Sequence, residues 1–341
     1  MTVNKISLEW AIDFVNHHSD GDLFPKSIEI ESIVNNKDDF TSMIANHNLN
    51  DFLPGSCRRF IVPKDEVSYR QATQLDPQDS IILSALVYEY GNEIEKLRLS
   101  DDVVFSYRFS PNINDGLYSN KKGWNDFWTK AEVLARSSTH ILYCDIADFY
   151  NQIYHHTVEN QLISAGWPNQ AIKWLISLLE STTAGVSRGV PVGPHPIHLI
   201  AEATLIPVDN SLNSAGYKFI RYADDILIFC KSEKKAKFAL SNLATILDRQ
   251  QRLTLQRHKT KILKPVEFFS ICREMIEDRP INNHEASLLS IIKKYSGGNP
   301  YKTISYAEIS TDDWSLISNI AIEEIVNEYI NSTPVDYIRL R

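Results

Sequence analysis

Two adjacent carboxylates, Asp224 and Asp225, interrupt an otherwise apolar stretch, "FIRYADDILIFC" (Phe219–Cys230). A third, Asp145, stands at the end of another apolar run, "ILYCDIADFY". Both runs read as strands, and if they are neighbours in one sheet the three carboxylates converge at a single edge. Crowded carboxylates repel one another unless something cationic sits between them. Hard oxygen ligands with open positions suit Mg²⁺, which takes few protein carboxylates and leaves room for phosphate and water. Two such ions about 3.5–4 Å apart clamp the attacking and leaving oxygens of a phosphoryl transfer. A solvated Asp-Asp turn is the bland alternative, and the apolar flanks argue against it.

The elements needed to position these groups can be read around them. "RRFIVPKDEVSYRQA" (Arg58–Ala72) reads as two short strands joined at Lys64-Asp65-Glu66, and "SIILSALVYEYGNEIEKL" (Ser80–Leu97) as a helix with apolar residues at helical spacing. Residues 112–123 read as a loop and 124–137 as a helix. Two helices flank Gly166-Trp167-Pro168, with Pro168 at a helix start. "GVSRGVPVGP" (Gly185–Pro194) is a glycine/proline loop leading into a long helix that ends near Gly216. A further helix follows a Ser232 cap, then a strand and turn in "TLQRHKTKILKP", and a mostly helical tail from residue 282.

The 341 residues, 43% hydrophobic and 23% charged, are those of a globular chain with room for two or three packed subdomains. No apolar run approaches the roughly 20 residues of a membrane span, and the N-terminus lacks a secretory pattern. A cytoplasmic protein is expected, with Cys57, Cys144, Cys230 and Cys272 as reduced thiols, no CxxC spacing being present. His17-His18 and His155-His156 lack metal-ligand spacing and read as structural or surface residues. The net charge of −8 disfavours nucleic acid at first sight. Residues 231–264, however, carry ten Lys/Arg against two Asp/Glu, a basic strip able to hold a phosphate backbone.

Taken together, "YADD" in an apolar hairpin, "DIADFY" upstream, "RGVPVGP" between them and "LTLQRHKTKIL" after them resemble the ordered motifs of reverse transcriptases, over roughly Arg58–Phe269. The resemblance implies an α+β right-hand polymerase with helical fingers, an antiparallel-sheet palm and a small helical thumb. The expected boundaries are 1–140 for the N-terminal extension and fingers, 141–275 for the palm with inserted finger helices at about 155–215, and 276–341 for a thumb-like segment. It implies that Asp145, Asp224 and Asp225, with the carbonyl of Ile146, hold two Mg²⁺ ions, for which Mn²⁺ can substitute. Tyr150 would exclude a ribose 2′-hydroxyl, with Asp148 and Phe149 beside it in the nucleotide site. Lys64 and Arg70 would hold the triphosphate, Gly189 and Pro191 would lie along the templating pair, and Lys259 would protonate departing pyrophosphate. Three positions depart from the family pattern: Arg188 where Gln is usual, Gln256 where Asn is usual, and Ile197 near a frequent Ser.

"VVFSYRFSPN" (Val103–Asn112), "FYNQIYHHTVENQL" and "GVPVGPHPIHLIAEATLIPVDNSL" narrow the resemblance to bacterial antiphage, abortive-infection and "unknown group" reverse transcriptases. Retron signatures and a maturase-like basic extension are absent from the sequence. The function implied is RNA-directed DNA synthesis from dNTPs on an RNA or DNA strand, in antiviral defence. Two alternatives stand beside it: a catalytically silent subunit that binds nucleic acid or assembles a defence complex, and untemplated, protein-primed synthesis. Companion defence proteins or a noncoding RNA are the expected partners, with assembly as a homo- or hetero-oligomer and no membrane. The final "STPVDYIRLR" reads as a helix start at Pro334; relatives commonly continue into an α-helical domain, so either this member lacks that domain or the sequence is a truncated piece.

Overall fold

The computed structural model describes residues 1–341 except 20, 22, 25, 65, 120–122, 278–279, 281, 297–303, 305–307, 333–334 and 336–341. Asp65 and the helix start expected at Pro334 therefore lie outside the described residues.

Three helices open the chain: α1 (Lys5–His18), α2 (Glu29–Asn35) and α3 (Lys37–Ala45). Asn4 caps α1 by accepting from the Ile6 N–H at 2.8 Å. A hairpin follows, β1 (Arg58–Pro63) and β2 (Tyr69–Gln74), paired with Val62 opposite Arg70. α4 (Pro77–Glu95) begins with Asp76 as cap and Pro77 in the first turn. Ile81, Ile82, Leu83, Ala85, Leu86 and Val87 of α4 are all buried. This half of the helix is apolar all round because α1 packs on one side and other helices cover the rest.

Of the expected 112–123 loop, residues 120–122 lie outside the described residues, and the described part before them is not simply a loop. It closes a small hairpin of β3 (Phe109–Asn112) and β4 (Gly116–Tyr118). Gly116, at φ +84°, permits the return, and its α-hydrogen face lies against Phe14. Then come α5 (Trp124–Arg136), β5 (His140–Asp145), α6 (Phe149–Gln152), α7 (His155–Ser164), α8 (Asn169–Thr182) and α9 (His195–Ser214). Pro168 is the cap of α8 rather than its first helical residue. The chain continues through β6 (Phe219–Tyr222), β7 (Asp225–Cys230), α10 (Glu233–Gln251), β8 (Lys261–Leu263) and α11 (Pro265–Ile276). Ser232 caps α10, its hydroxyl accepting from the Lys235 N–H at 3.3 Å. The described tail is helical: α12 (Asn283–Ser296), α13 (Thr311–Ser318) and α14 (Ile322–Asn331).

The architecture is mixed α+β with small antiparallel sheets. Its centre is a four-stranded sheet in the order β6-β7-β5-β8. The period-two alternation of strand side chains sends alternate residues to two cores. Leu142, Cys144, Ile226 and Ile228 join the larger one, which runs from Val3 to Leu253 without a break at residue 140. Ile141, Ile220, Leu227 and Phe229 join the smaller one, closed by Phe127 and Trp128 of α5 and by Phe268 and Cys272 of α11. Among the described residues, no helix is long and apolar enough to cross a membrane.

The loop before α9 is laid across the β1–β2 hairpin. Val192 bridges Ala72, and the Thr73 N–H donates to the Val192 carbonyl at 2.8 Å. Gly193 there has φ +128°, and a Cβ at this position would sit 3.0 Å from the Thr73 carbonyl oxygen. Gly193→Ala is therefore expected to cost about 1–3 kcal/mol, read as a lowered midpoint in urea unfolding. An unchanged midpoint would show that the loop is not held this way.

Candidate functional site

Asp145 is the last residue of β5 and pairs in register with Asp225, the first residue of β7. Asp224 lies in the two-residue turn between β6 and β7, where Tyr222 pairs with Asp225. The Ile146 N–H donates to the Asp224 carbonyl at 3.1 Å, so all three carboxylates share one sheet edge. Asp145 is buried at 4% exposure, and its two partners are half-buried.

The turn is strained and clamped. Ala223 has φ +50°, a left-handed conformation that costs an L-residue about 1–2 kcal/mol. Its N–H donates to the Ser106 hydroxyl at 2.9 Å, and its carbonyl accepts from Arg221 Nη1 at 2.9 Å. Arg221 itself is fully buried. Its Nε and Nη2 donate to the two Asp209 oxygens at 2.8 and 2.6 Å. Glu202 accepts from Arg221 Nη1 and Nη2 at 3.1 and 2.9 Å, from Arg98 Nη2 at 2.8 Å and from the Ser106 hydroxyl at 2.7 Å. Burial pushes the Glu202 carboxyl up, but Arg221 and Arg98 outweigh it and hold the group below its usual range. At Asp209 burial wins, and its affinity for a proton is raised despite Arg221.

Electrostatics at the edge itself are unfavourable. Burial, then the charge of Asp145, raises Asp224 to about 6; Lys259 and Arg70 pull the other way. Burial, then Asp224 and Asp145, raises Asp225 to about 7. Although each keeps a solvent-facing edge, the protein around them is dense enough to disfavour their charges, and the pair titrates as a unit. The chain supplies partial relief. Lys259 Nζ donates to Asp145 Oδ2 at 2.5 Å, and the Tyr143 hydroxyl donates to Asp225 Oδ1 at 3.0 Å. Burial pulls the Lys259 ammonium down, but Asp145, Asp225 and Asp224 outweigh it and leave it raised.

The donor chemistry fits a divalent cation: hard carboxylate oxygens, with Asp224 and Asp225 raised in proton affinity by burial and by each other's and Asp145's charge. Yet among the described residues no three Asp, Glu, His or Cys side chains form a closed metal cluster. The fit is to an open site in which Lys259 now holds one ligand, Asp145.

The other expected residues divide. Lys259 reaches the carboxylates because the Gln256 N–H donates to the Asp145 carbonyl at 2.7 Å, tying its loop to the end of β5. Arg70 is exposed on β2, close enough for its charge to lower Asp224. Lys64 lies farther out at the hairpin tip, where its N–H donates to the Ser68 carbonyl at 2.9 Å. Tyr150 is half-buried, its hydroxyl 2.6 Å from His198 Nδ1. Asp148 is exposed, at φ +48°. The Phe149 side chain is in the main core at 3% exposure, leaving only its backbone to meet a ligand. Gly189, at φ +101°, donates through its N–H to the Ile153 carbonyl at 2.8 Å. Its carbonyl oxygen lies 2.8 Å from His155 Nε2. Pro191 is buried in the same loop. Arg188 is exposed, 5.8 Å from the centroid of the Tyr154 ring.

Sequence reading missed Arg221, Glu202, Asp209, Arg98, Ser106, Tyr143 and His198. A signal existed for three of them. Arg221 is a charge inside "FIRY", and Glu202 and Asp209 stand seven apart as the only Asp, Glu, Lys or Arg residues of α9.

No curated protein matches this chain. Among solved structures it is similar to apo telomerase from Candida tropicalis (TM-score 0.46, 10% identity, covering 68% of this chain and 49% of that one). It is also similar to telomerase from Candida albicans in complex with a fragment of telomeric RNA (TM-score 0.45, 12% identity, 63% and 42%). A third is a partial Cas6-RT-Cas1–Cas2 complex (TM-score 0.38, 16% identity, 72% and 41%). The chain spans less than half the length of each of these. The family profile described as reverse transcriptase (RNA-dependent DNA polymerase) matches residues 62–272, well over half of the sequence and inclusive of every residue of the acidic edge. This chain belongs to the reverse transcriptase family.

Proposed function

We propose that the protein is an RNA-directed DNA polymerase that adds dNMPs from dNTPs, acting in the cytoplasm in bacterial antiviral defence. The observation that carries the catalytic part is the convergence of Asp145, Asp224 and Asp225 on one sheet edge with Lys259 against them. Two Mg²⁺ or Mn²⁺ ions, held by these carboxylates and the Ile146 carbonyl, would polarise the attacking and leaving oxygens of phosphoryl transfer. The chain's own groups do the rest. Arg70 and Lys64 on the finger hairpin grip the triphosphate, with Asp148 and the Phe149 backbone beside it. The Tyr150 ring blocks a 2′-hydroxyl, Gly189 and Pro191 line the templating pair, and Lys259 donates a proton to the departing pyrophosphate. Residues 1–140, 141–275 and 276–341 serve as extension and fingers, palm and thumb. The defence role rests on the resemblance of Val103–Asn112 and the 149–162 and 189–212 stretches to antiphage enzymes, and companion proteins or a noncoding RNA belong to the same proposal.

One observation favours a second reading, a silent nucleic-acid-binding subunit: Asp145 is already paired with the Lys259 ammonium. Labelled-dNTP extension of a primed RNA, with Mg²⁺, decides between them. The wild type is expected to extend the primer and Asp145→Asn to lose about 10²–10³-fold in rate. Equal rates for the two would sink the polymerase reading. Product made without template would move the proposal to untemplated synthesis.

A further inference from the structure

We propose that His198 is a positioning residue for the Tyr150 ring, and thereby sets how strongly the site prefers deoxynucleotides to ribonucleotides. The inference rests on the reading of Tyr150 as the residue that excludes a 2′-hydroxyl.

A ring that excludes a hydroxyl works by position, so something must hold it. α6 is four residues long, too short to be rigid by itself. Phe149 anchors it in the core and Tyr150 packs against the same core, but the Tyr150 ring is also held at its far end. Its hydroxyl is 2.6 Å from His198 Nδ1, and the two rings meet edge-on at 89°. The phenol stays protonated because burial, then the charge of Asp224, pushes it well up, so its O–H is available to an imidazole carrying its own proton on Nε2.

His198 is in turn immobilised. It is 8% exposed, and the Tyr107 ring lies flat on it at 4.2 Å and 6°. Tyr107 holds this stack from a left-handed backbone, φ +47°, a strain that persists only where the surroundings enforce it. The start of α9 is pinned as well: the Leu199 N–H donates to the Tyr118 hydroxyl at 3.1 Å, and that hydroxyl donates to the His195 carbonyl at 2.5 Å. Tyr107 also lies 6.2 Å from Tyr222, beside the acidic turn. One aromatic stack thus registers the sugar side of the site against its carboxylates.

The test measures the ratio of dNTP to NTP incorporation efficiency, and the difference between the melting-temperature shifts given by the same two nucleotides with Mg²⁺. His198→Leu is expected to lower the incorporation ratio about fivefold, the worth of one ordinary hydrogen bond, and to shrink the melting difference. His198→Asn, which offers a polar atom near the Nδ1 position, is expected to restore most of both. Tyr150→Phe is expected to match His198→Leu, with no further loss in the double variant. Tyr150→Val, which removes the ring, is expected to lose far more. If Tyr150→Val collapses the ratio while a folded His198→Leu keeps it, the positioning role is overturned and the reading of Tyr150 survives. If Tyr150→Val leaves the ratio unchanged, both fall.

Discussion

Asp224→Asn is expected to do two opposite things: to cut nucleotide incorporation by about 10²–10³-fold and to raise the melting temperature of the metal-free protein. The stabilising half follows from the folded-state titration of the acidic turn. Asp224 and Asp225 are raised from 3.8 to about 6 and about 7. Between pH 4 and 7 the folded chain therefore holds protons that the unfolded chain has released. Stability must fall as pH rises through that window, and the full penalty is present above it. For Asp224 the penalty is on the order of 3 kcal/mol, part of it shared with Asp145 and Asp225 through their coupling. Asparagine keeps the shape and removes the charge. Thermal unfolding in a chelator should show a variant more stable than wild type by a few degrees at pH 8, with the gap closing by pH 4. A gap independent of pH, or a variant less stable at pH 8, would mean that the repulsion is relieved in some other way.

The second large effect concerns Arg221. Arg221→Met should destabilise the fold by about 3–5 kcal/mol, because it leaves buried carboxylates behind without their cation. The two acids are not equally exposed to this loss. Glu202 keeps Arg98 and Ser106, whereas Asp209 has both oxygens on Arg221. Adding Asp209→Leu to Arg221→Met should therefore recover more than half of the loss, and adding Glu202→Gln should recover less. Urea unfolding of the wild type, the single and the two double variants measures this. A single-variant cost below about 1 kcal/mol would contradict a buried, fully paired network.

How much of this was legible in the sequence depended on how local the information is. The acidic edge could be read because its signals are short: a strand ending in Asp145, a hairpin broken by Asp224-Asp225, and a lysine followed by a strand. The Ser232 cap and the apolar spacing of α4 were likewise written within a few residues, although α4 starts at Pro77 behind an Asp76 cap rather than at Ser80. The three opening helices were not read, since α1 buries Leu8, Ala11, Ile12 and Val15 only by virtue of a partner helix some 70 residues on. The β3–β4 hairpin was lost in a polar stretch, where Asn112 and Gly116 carry the turn without apolar alternation. The support beneath the turn was invisible for a stronger reason. Arg221 has meaning only beside Glu202 and Asp209, and His198 only beside Tyr150 and Tyr107. Single-sequence patterns do not report such pairings.

The separations in that support bear on how the molecule assembles. Arg98 and Glu202 are 104 residues apart, Ser106 and Glu202 are 96 apart, and Ser106 and Ala223 are 117 apart. Contacts this distant along the chain carry a loop-closure cost that local contacts do not, and folds rich in them form slowly. During synthesis the 98–108 segment and then the two acids emerge before Arg221, and the acidic turn can take its shape only after all of them have met. A chain still being made, or caught partly folded, therefore has the two aspartates but not the backbone that aims them. The network thus ties the shape of the acidic turn to complete folding of the molecule around it.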